Sequence, residues 1–238
     1  MTYLMIVRVP EDAEAAEVGP TPDDASPEAW FEDVTRRGVH LAGNRLRPPS
    51  DATCVRVRDG ATLVTHGPFA ELAEQIAGFD LLQVADLEEA VGVAAAHPVA
   101  RFGALELREL APHDDDPAGG ANAVLDGAAT YLLLMSSSPG SPPPAADDAG
   151  APLRWIEEMS GRDVDRGGSL LAPPDRAVTV RVRDGEVVLT HGPFAELAEQ
   201  VDGYNLIDAA DLDEALEVAA AHPAAQHGVV EVRPVWPF

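Results

Sequence analysis

The chain alternates between short apolar runs and polar segments, and the spacing of the apolar positions predicts a succession of strands and helices. Residues 3–9 form an apolar run that Pro10 ends, which favours a buried strand. Ser26 and Pro27 begin a segment that continues to Arg37 with acidic residues near its start, the pattern of a capped helix. The amino-terminal end is therefore expected to form a strand and then a helix.

A β-hairpin is predicted next, because residues 53–58 and 61–65 alternate apolar and polar side chains around Asp59-Gly60, a dipeptide typical of hairpin turns. The other elements are predicted on the same grounds: strands over residues 41–47, 78–84 and 101–107, a helical turn over 69–75, and a helix over 87–96 with Asp86 as its cap.

The second half of the chain repeats the first. Residues 57–82 recur as residues 182–207, an offset of 125, and 17 of the 26 positions are identical. A period this long is typical of a duplicated domain and not of a solenoid. We therefore predict one domain over residues 1–111 and a second over 128–238, joined by an acidic linker rich in proline and glycine over 112–127.

The predicted order of elements in each repeat favours an α+β fold, with helices on one face of an antiparallel sheet. A ferredoxin-like unit of this kind leaves its other sheet face bare, and stacking two such sheets would bury both faces. The sequence thus predicts two ferredoxin-like domains forming a pseudo-dimeric α+β barrel, with the second copy in the place of a homodimer partner. The oligomeric alternatives are a monomer with this internal pseudo-dimer and a homodimer.

Composition narrows the choice of partners. The formal net charge is −25, so nucleic acids and anionic membranes are not expected as partners. No apolar run is long enough to span a bilayer, and the first residues lack the basic flank of a secretory signal, which favours a cytoplasmic protein. A single cysteine, Cys54, excludes an internal disulfide, and the absence of lysine excludes Schiff-base catalysis.

The repeated block carries a family resemblance. Thr-His-Gly-Pro-Phe-Ala-Glu occurs at residues 65–71 and 190–196, and Gly-Tyr-Asn-Leu-Ile-Asp at 203–208 and Glu-Val-Arg-Pro-Val at 231–235 follow the second copy. The sequence resembles the YCII-related proteins of the DGPF-domain type. The resemblance implies a dimeric, ferredoxin-like α+β barrel, and a few relatives are small-molecule lyases or dehydrochlorinases that use a His–Asp pair. Here a histidine replaces the leading aspartate of the family motif in both copies.

The histidines of this block, His66 and His191, are the predicted catalytic residues. Each lies where a predicted strand ends at a Gly-Pro turn, a place from which a side chain can project into a cavity, and histidine suits proton transfer near neutral pH. The alternative is that each side chain only bonds the backbone of its turn. An enclosed pocket with either histidine beside a carboxylate would favour catalysis, whereas exposure of both to solvent would argue against it.

Four residues are predicted to bind substrate: Arg45, Asp80, Tyr204 and Asn205. Arg45 has Leu170 as its counterpart, so the two repeats are not equivalent. Tyr204 could donate a phenolic proton, or it could simply pack in a strand.

Glutamate and arginine alternate near the end of each repeat, at Glu106 and Arg108 and again at Glu231 and Arg233. Positions two apart in a strand share a face, so each pair could orient a polar ligand inside the barrel. Ion pairing on a solvated edge is the alternative.

The remaining histidines have simpler interpretations. His97 and His222 end predicted helices, where a cationic side chain would favour the helix dipole. His40, His113 and His227 have no counterpart in the other repeat and are predicted to be surface residues.

These observations favour an enzyme that acts on a small-molecule ligand without a cofactor or metal, by acid/base chemistry such as elimination, isomerisation or cyclisation. No His-x-His or His-Glu-x-x-His spacing supports a metal shared by the two motif histidines. The alternative is a non-catalytic regulatory module that binds a metabolite or a protein.

Overall fold

A computed structural model describes residues 1–10, 26–70, 74–112, 130–137, 150–192 and 200–236. Almost all of the predicted linker, together with His113, lies outside these ranges. In the first repeat the elements are β1 (Thr2–Pro10), α1 (Pro27–Arg36), β2 (His40–Arg45), β3 (Thr53–Arg58), β4 (Ala61–His66), β5 (Glu74–Gln83), α2 (Leu87–Ala96) and β6 (Ala104–Glu109). In the second repeat they are β7 (Tyr131–Ser137), α3 (Ala151–Gly161), β8 (Asp165–Leu170), β9 (Val178–Arg183), β10 (Glu186–His191), β11 (Gln200–Ile207), α4 (Leu212–Ala221), α5 (Ala224–His227) and β12 (Val229–Pro234).

The α+β class is confirmed. The strands form two antiparallel sheets of six, in the orders β10-β9-β6-β1-β5-β2 and β4-β3-β12-β7-β11-β8. Within each sheet, four strands and two helices follow the strand-helix-strand-strand-helix-strand order of a ferredoxin-like unit. One local prediction is wrong: β5 already begins at Glu74, where a helical turn was expected to continue. Within the described ranges, every helix is too short or too polar to cross a lipid bilayer.

The compact units do not coincide with the sequence repeats, because each sheet ends in a hairpin from the other repeat. Unit 1 comprises the described residues within Met1–Arg45, Glu71–Ala121 and Ala172–Glu196, so β9 and β10 extend its sheet by pairing with β6. Unit 2 comprises those within Leu46–Ala70, Asn122–Leu171 and Leu197–Phe238, so β3 and β4 extend its sheet by pairing with β12.

Each sheet has a helix face, against which its own helices pack, and an opposite second face. On β1 of unit 1, Tyr3, Met5 and Val7 belong to the buried cluster of the helix face, and Leu4 and Ile6 alternate with them on the second face. Both faces are buried along this strand, which explains why it is apolar almost throughout.

Side-chain hydrogen bonds hold the helices in place. The Ser26 hydroxyl accepts a hydrogen bond from the Ala29 amide at 3.1 Å and caps α1 as predicted. The Trp30 indole N–H donates to the carbonyl of Val93 at 3.0 Å and ties α1 to α2. In unit 2 the Trp155 indole makes the equivalent bond to Val218 at 3.2 Å.

His97 and His222 end α2 and α4 as predicted, but each imidazole accepts a backbone hydrogen bond, so the predicted role as a helix-end cation is wrong. Each imidazole packs edge-on against a tryptophan, Trp30 or Trp155, with ring centroids 4.6 Å apart. The Nδ1 atom of His222 accepts a hydrogen bond from the Ala224 amide at 3.1 Å, a role that requires an unprotonated nitrogen. Burial lowers the pKa of both histidines, that of His222 to about 4.

We expect His222→Asn to weaken the acid sensitivity of folding. A histidine with a depressed folded-state pKa contributes its full stability above its unfolded pKa and loses it as the pH falls toward the folded value, here about 4. Between about pH 7 and about pH 5 the wild-type loss from this group is about 2 kcal/mol. Asparagine keeps an acceptor oxygen but does not titrate, so urea unfolding of the variant should omit this loss.

The control is His66→Asn, which changes an exposed histidine and should leave the wild-type pH dependence intact. An equal loss of stability in the wild type and in His222→Asn over this interval would contradict the prediction.

Candidate functional site

A histidine and an aspartate meet on the helix face of unit 1. His40 at the start of β2 and Asp80 in β5 lie on neighbouring strands, with Nε2 of the histidine 3.0 Å from Oδ1 of the aspartate. The side chains are 10% and 12% exposed, so the prediction that His40 is a surface residue is wrong. The rings of Trp30 and Phe31 pack edge-on against the imidazole, at centroid distances of 6.1 and 5.2 Å.

Gly43 makes room for this pair. It lies opposite Asp80 in the sheet, and a Cβ atom there would overlap Oδ1 of Asp80 and come within 2.8 Å of Nε2 of His40. A side chain at this position would therefore displace one partner or the other. The absence of a side chain at residue 43 is part of the geometry that holds the pair together.

The arrangement suits proton transfer. A carboxylate that accepts a hydrogen bond from Nε2–H fixes the imidazole tautomer and stabilises the imidazolium once it forms. The lone pair is then on Nδ1, and that atom of His40 makes no hydrogen bond to any described residue. It is the nitrogen that can take a proton from a ligand.

The corresponding place in unit 2 lacks this chemistry. Asp165 and Asn205 stand where unit 1 has His40 and Asp80, in the same strand register. Asp165 accepts a hydrogen bond from the Gly167 amide at 3.1 Å, and Asn205 is buried. Neither side chain is a histidine, so this place cannot act as the same acid/base pair.

The second face of unit 1 carries a buried ionic cluster. Arg8 donates to Oε2 of Glu106 from Nε at 3.1 Å and from a terminal nitrogen at 2.8 Å, and Arg108 lies 3.5 Å from the other carboxylate oxygen. Glu106 and Arg108 are only 2% and 1% exposed. The interpretation of such pairs as ion pairs on a solvated edge is therefore wrong.

Unit 2 has a related but different cluster. Glu231 accepts a hydrogen bond from Arg233 at 3.2 Å and another, at 2.7 Å, from the backbone N–H of Phe69 in the repeated motif. Tyr204 lies on the same face and is fully buried. Its hydroxyl has no hydrogen-bond partner among the described residues, and burial raises its pKa.

The predicted site residues are not brought together. His66 and His191 are exposed at the ends of the edge strands β4 and β10, and Arg45 is exposed at the end of β2. Asp80 is paired with His40, whereas its counterpart Asn205 lies in the other unit. The geometry thus supports His40 in place of the two motif histidines.

Two functional candidates were missed by sequence reasoning. His40 is not repeated, yet a feature present in one copy alone is what a site confined to one half would show. Arg8 lies in an apolar run, and a single charge in a strand buried on both faces was the available signal for the cluster that it forms with Glu106.

Comparisons with known proteins agree with the duplicated fold. The family model of the YCII-related domain matches the chain twice, over residues 1–114 and 130–238. Uncharacterized protein R00369 of Rhizobium meliloti (strain 1021) is 46% identical over 69 residues, which cover 27% of this chain and 54% of that protein. The match thus spans little more than half of that relative. The two matches of the family model together cover nearly the whole sequence, and the chain belongs to the YCII-related family as a tandem duplication of its domain.

Proposed function

We propose that the protein is a cofactor-independent enzyme that acts on a small molecule by acid/base chemistry, with His40 as the proton-transfer residue and Asp80 as the residue that orients it. The observation that carries this proposal is the 3.0 Å contact between them in a largely enclosed, aromatic-lined position. A His–Asp pair is also what the family resemblance implies for the relatives that are lyases.

In the proposed reaction, Nδ1 of His40 takes a proton from a carbon next to a carbonyl group of the substrate. The electron pair of the broken C–H bond stays on the substrate, and the carboxylate of Asp80 stabilises the imidazolium through Nε2–H. The imidazolium then returns the proton to another atom of the substrate or to a leaving group. Isomerisation, cyclisation and elimination all begin with this step.

The pseudo-dimeric α+β barrel implied by the resemblance belongs to the same proposal. What supports it is the presence of two copies of the domain in one chain, over residues 1–114 and 130–238. The helices of each ferredoxin-like unit pack on one face of its sheet, which leaves the second face for the partner domain in such a barrel.

A non-catalytic metabolite-binding module is the second candidate. It is favoured by one specific observation, the unpartnered buried hydroxyl of Tyr204 in the unit that has no His–Asp pair. Such a module would bind small molecules without exchanging their protons, and this difference can be measured directly.

We expect His40→Gln to slow deuterium incorporation into the substrate strongly. A pool of small carbonyl metabolites incubated with the full-length protein in deuterium oxide should show one compound that gains deuterium at carbon, measured by proton NMR and mass spectrometry. Loss of the proton-transfer residue should slow this exchange by about 10²- to 10⁴-fold.

The matched control for this experiment is Asp165→Asn, at the corresponding position of unit 2, and His66→Ala and His191→Ala test the exposed motif histidines. All three variants should exchange deuterium at the wild-type rate. If no compound exchanges, or if His40→Gln exchanges as fast as the wild type, the proposed chemistry is wrong. Retained binding without exchange would support the binding module.

We further expect Gly43→Ala to slow the same exchange by about a hundredfold, because its Cβ would separate His40 from Asp80 and misplace the base. Gly168→Ala is the matched variant in unit 2, where the new Cβ would crowd Asn205. Thermal unfolding should show comparable losses of stability in both, with slower exchange only in Gly43→Ala. Equal exchange rates in the two variants would show that the absence of a side chain at Gly43 does not matter for proton transfer.

A further inference from the structure

Two buried hydroxyl groups on the second face of unit 2 lack hydrogen-bond partners. They are Oη of Tyr204 in β11 and Oγ of Ser136 in β7, on residues that are 0% and 2% exposed, and neither bonds to any described residue. Buried hydroxyls are normally paired, since leaving one unpaired forfeits its hydration without replacement. Two such groups on one face point to a ligand or a water that binds them both.

Strand register places the two residues on neighbouring strands, next to the register shift between Val201 and Gly203. Tyr204 is directly opposite Leu134, and Ser136 is two positions further along the same strand, on the same face. Diagonal neighbours on one face of an antiparallel pair lie within reach of a long aromatic side chain. One small molecule can therefore contact both.

Unit 1 has a larger side chain at the position of Ser136. Arg8 has the register position of Ser136: it pairs with Ala104 and Ile76, as the serine pairs with Val229 and Val201. The serine side chain has about five fewer non-hydrogen atoms than the arginine. In unit 1 the Arg8 side chain is bonded to the buried Glu106, whereas unit 2 has no arginine at this position.

The tyrosine differs in the same direction. Its counterpart in unit 1 is Phe79, which occupies the same register position and has no hydroxyl. Relative to unit 1, unit 2 therefore has a smaller side chain at one position and a new hydrogen-bonding group at the other. Both differences suit a polar guest molecule.

The charged groups nearby limit what the guest can be. Glu231 and Arg233 carry opposite charges and are bonded to each other, and the glutamate also holds the Phe69 amide. Because these two charges are already paired with each other, a charged guest would find no uncompensated counter-charge in this ion pair. An uncharged oxygen compound fits the two hydroxyls without having to compete with the ion pair.

We propose that the second face of unit 2 binds a small uncharged ketone or alcohol, whose oxygen accepts a hydrogen bond from Tyr204 and is also within reach of Ser136. This site does not depend on the His40–Asp80 pair, which lies on the helix face of the other unit.

Binding of cyclohexanone and cyclohexanol to the full-length protein tests the proposal, with cyclohexanecarboxylate as the charged comparator. Saturation-transfer NMR measures the affinity, and thermal shift measures the accompanying stabilisation. We expect the two neutral probes to bind more tightly than the carboxylate. Tyr204→Phe and Ser136→Ala should each weaken their binding about tenfold through the loss of one hydrogen bond.

The control is Thr179→Val, which removes a buried and unpartnered hydroxyl from the second face of unit 1 and should leave the affinity unchanged. His40→Gln should leave it unchanged too, so that failure of this proposal is distinguishable from failure of the catalytic one. The proposal is overturned if neither neutral probe binds, if the carboxylate binds as tightly, or if Tyr204→Phe binds them as the wild type does. It is also overturned if Thr179→Val weakens binding as much as Tyr204→Phe.

Discussion

The pairing of β6 with β9, and of β12 with β3, determines what each sheet contains. Without these hairpins, β6 and β12 would each end a four-stranded sheet with a row of unpaired backbone N–H and C=O groups. Because β3 and β4 come from the other repeat, Phe69, which follows them, lies in the same unit as β12. The amide of Phe69 in the first repeat thus reaches Glu231 in the second, within one compact unit.

Much of the local structure could be predicted from the sequence, because caps, turns and apolar periodicity act over a few residues. Ser26, Asp86 and the Asp59-Gly60 turn all lie where those patterns place them. The hairpin exchange could not be predicted in this way. The 17 identical positions of the repeated block offer β6 and β12 nearly the same partner from either copy, so local patterns do not distinguish the two pairings.

The site was harder to predict than the fold, for a related reason. Alternation along a strand shows which residues share a face, but not whether that face is covered, so Glu106 and Arg108 could not be identified as buried. Repetition was also a misleading guide to chemistry. The two motif histidines, His66 and His191, are repeated but exposed, and His40, which lies in an enclosed pair, occurs in one copy alone.

Duplication explains how the two halves could diverge. The fold needs the apolar positions and hairpins in both copies, but a polar pair is free to change in one half while the other retains it. His40 and Asp80 face the helices of unit 1, and Ser136 and Tyr204 lie on the second face of unit 2. The two pairs share neither a sheet nor the same kind of face. The proposed proton-transfer site and the proposed binding site therefore lie in different units, so that substitutions in one unit test one proposal at a time.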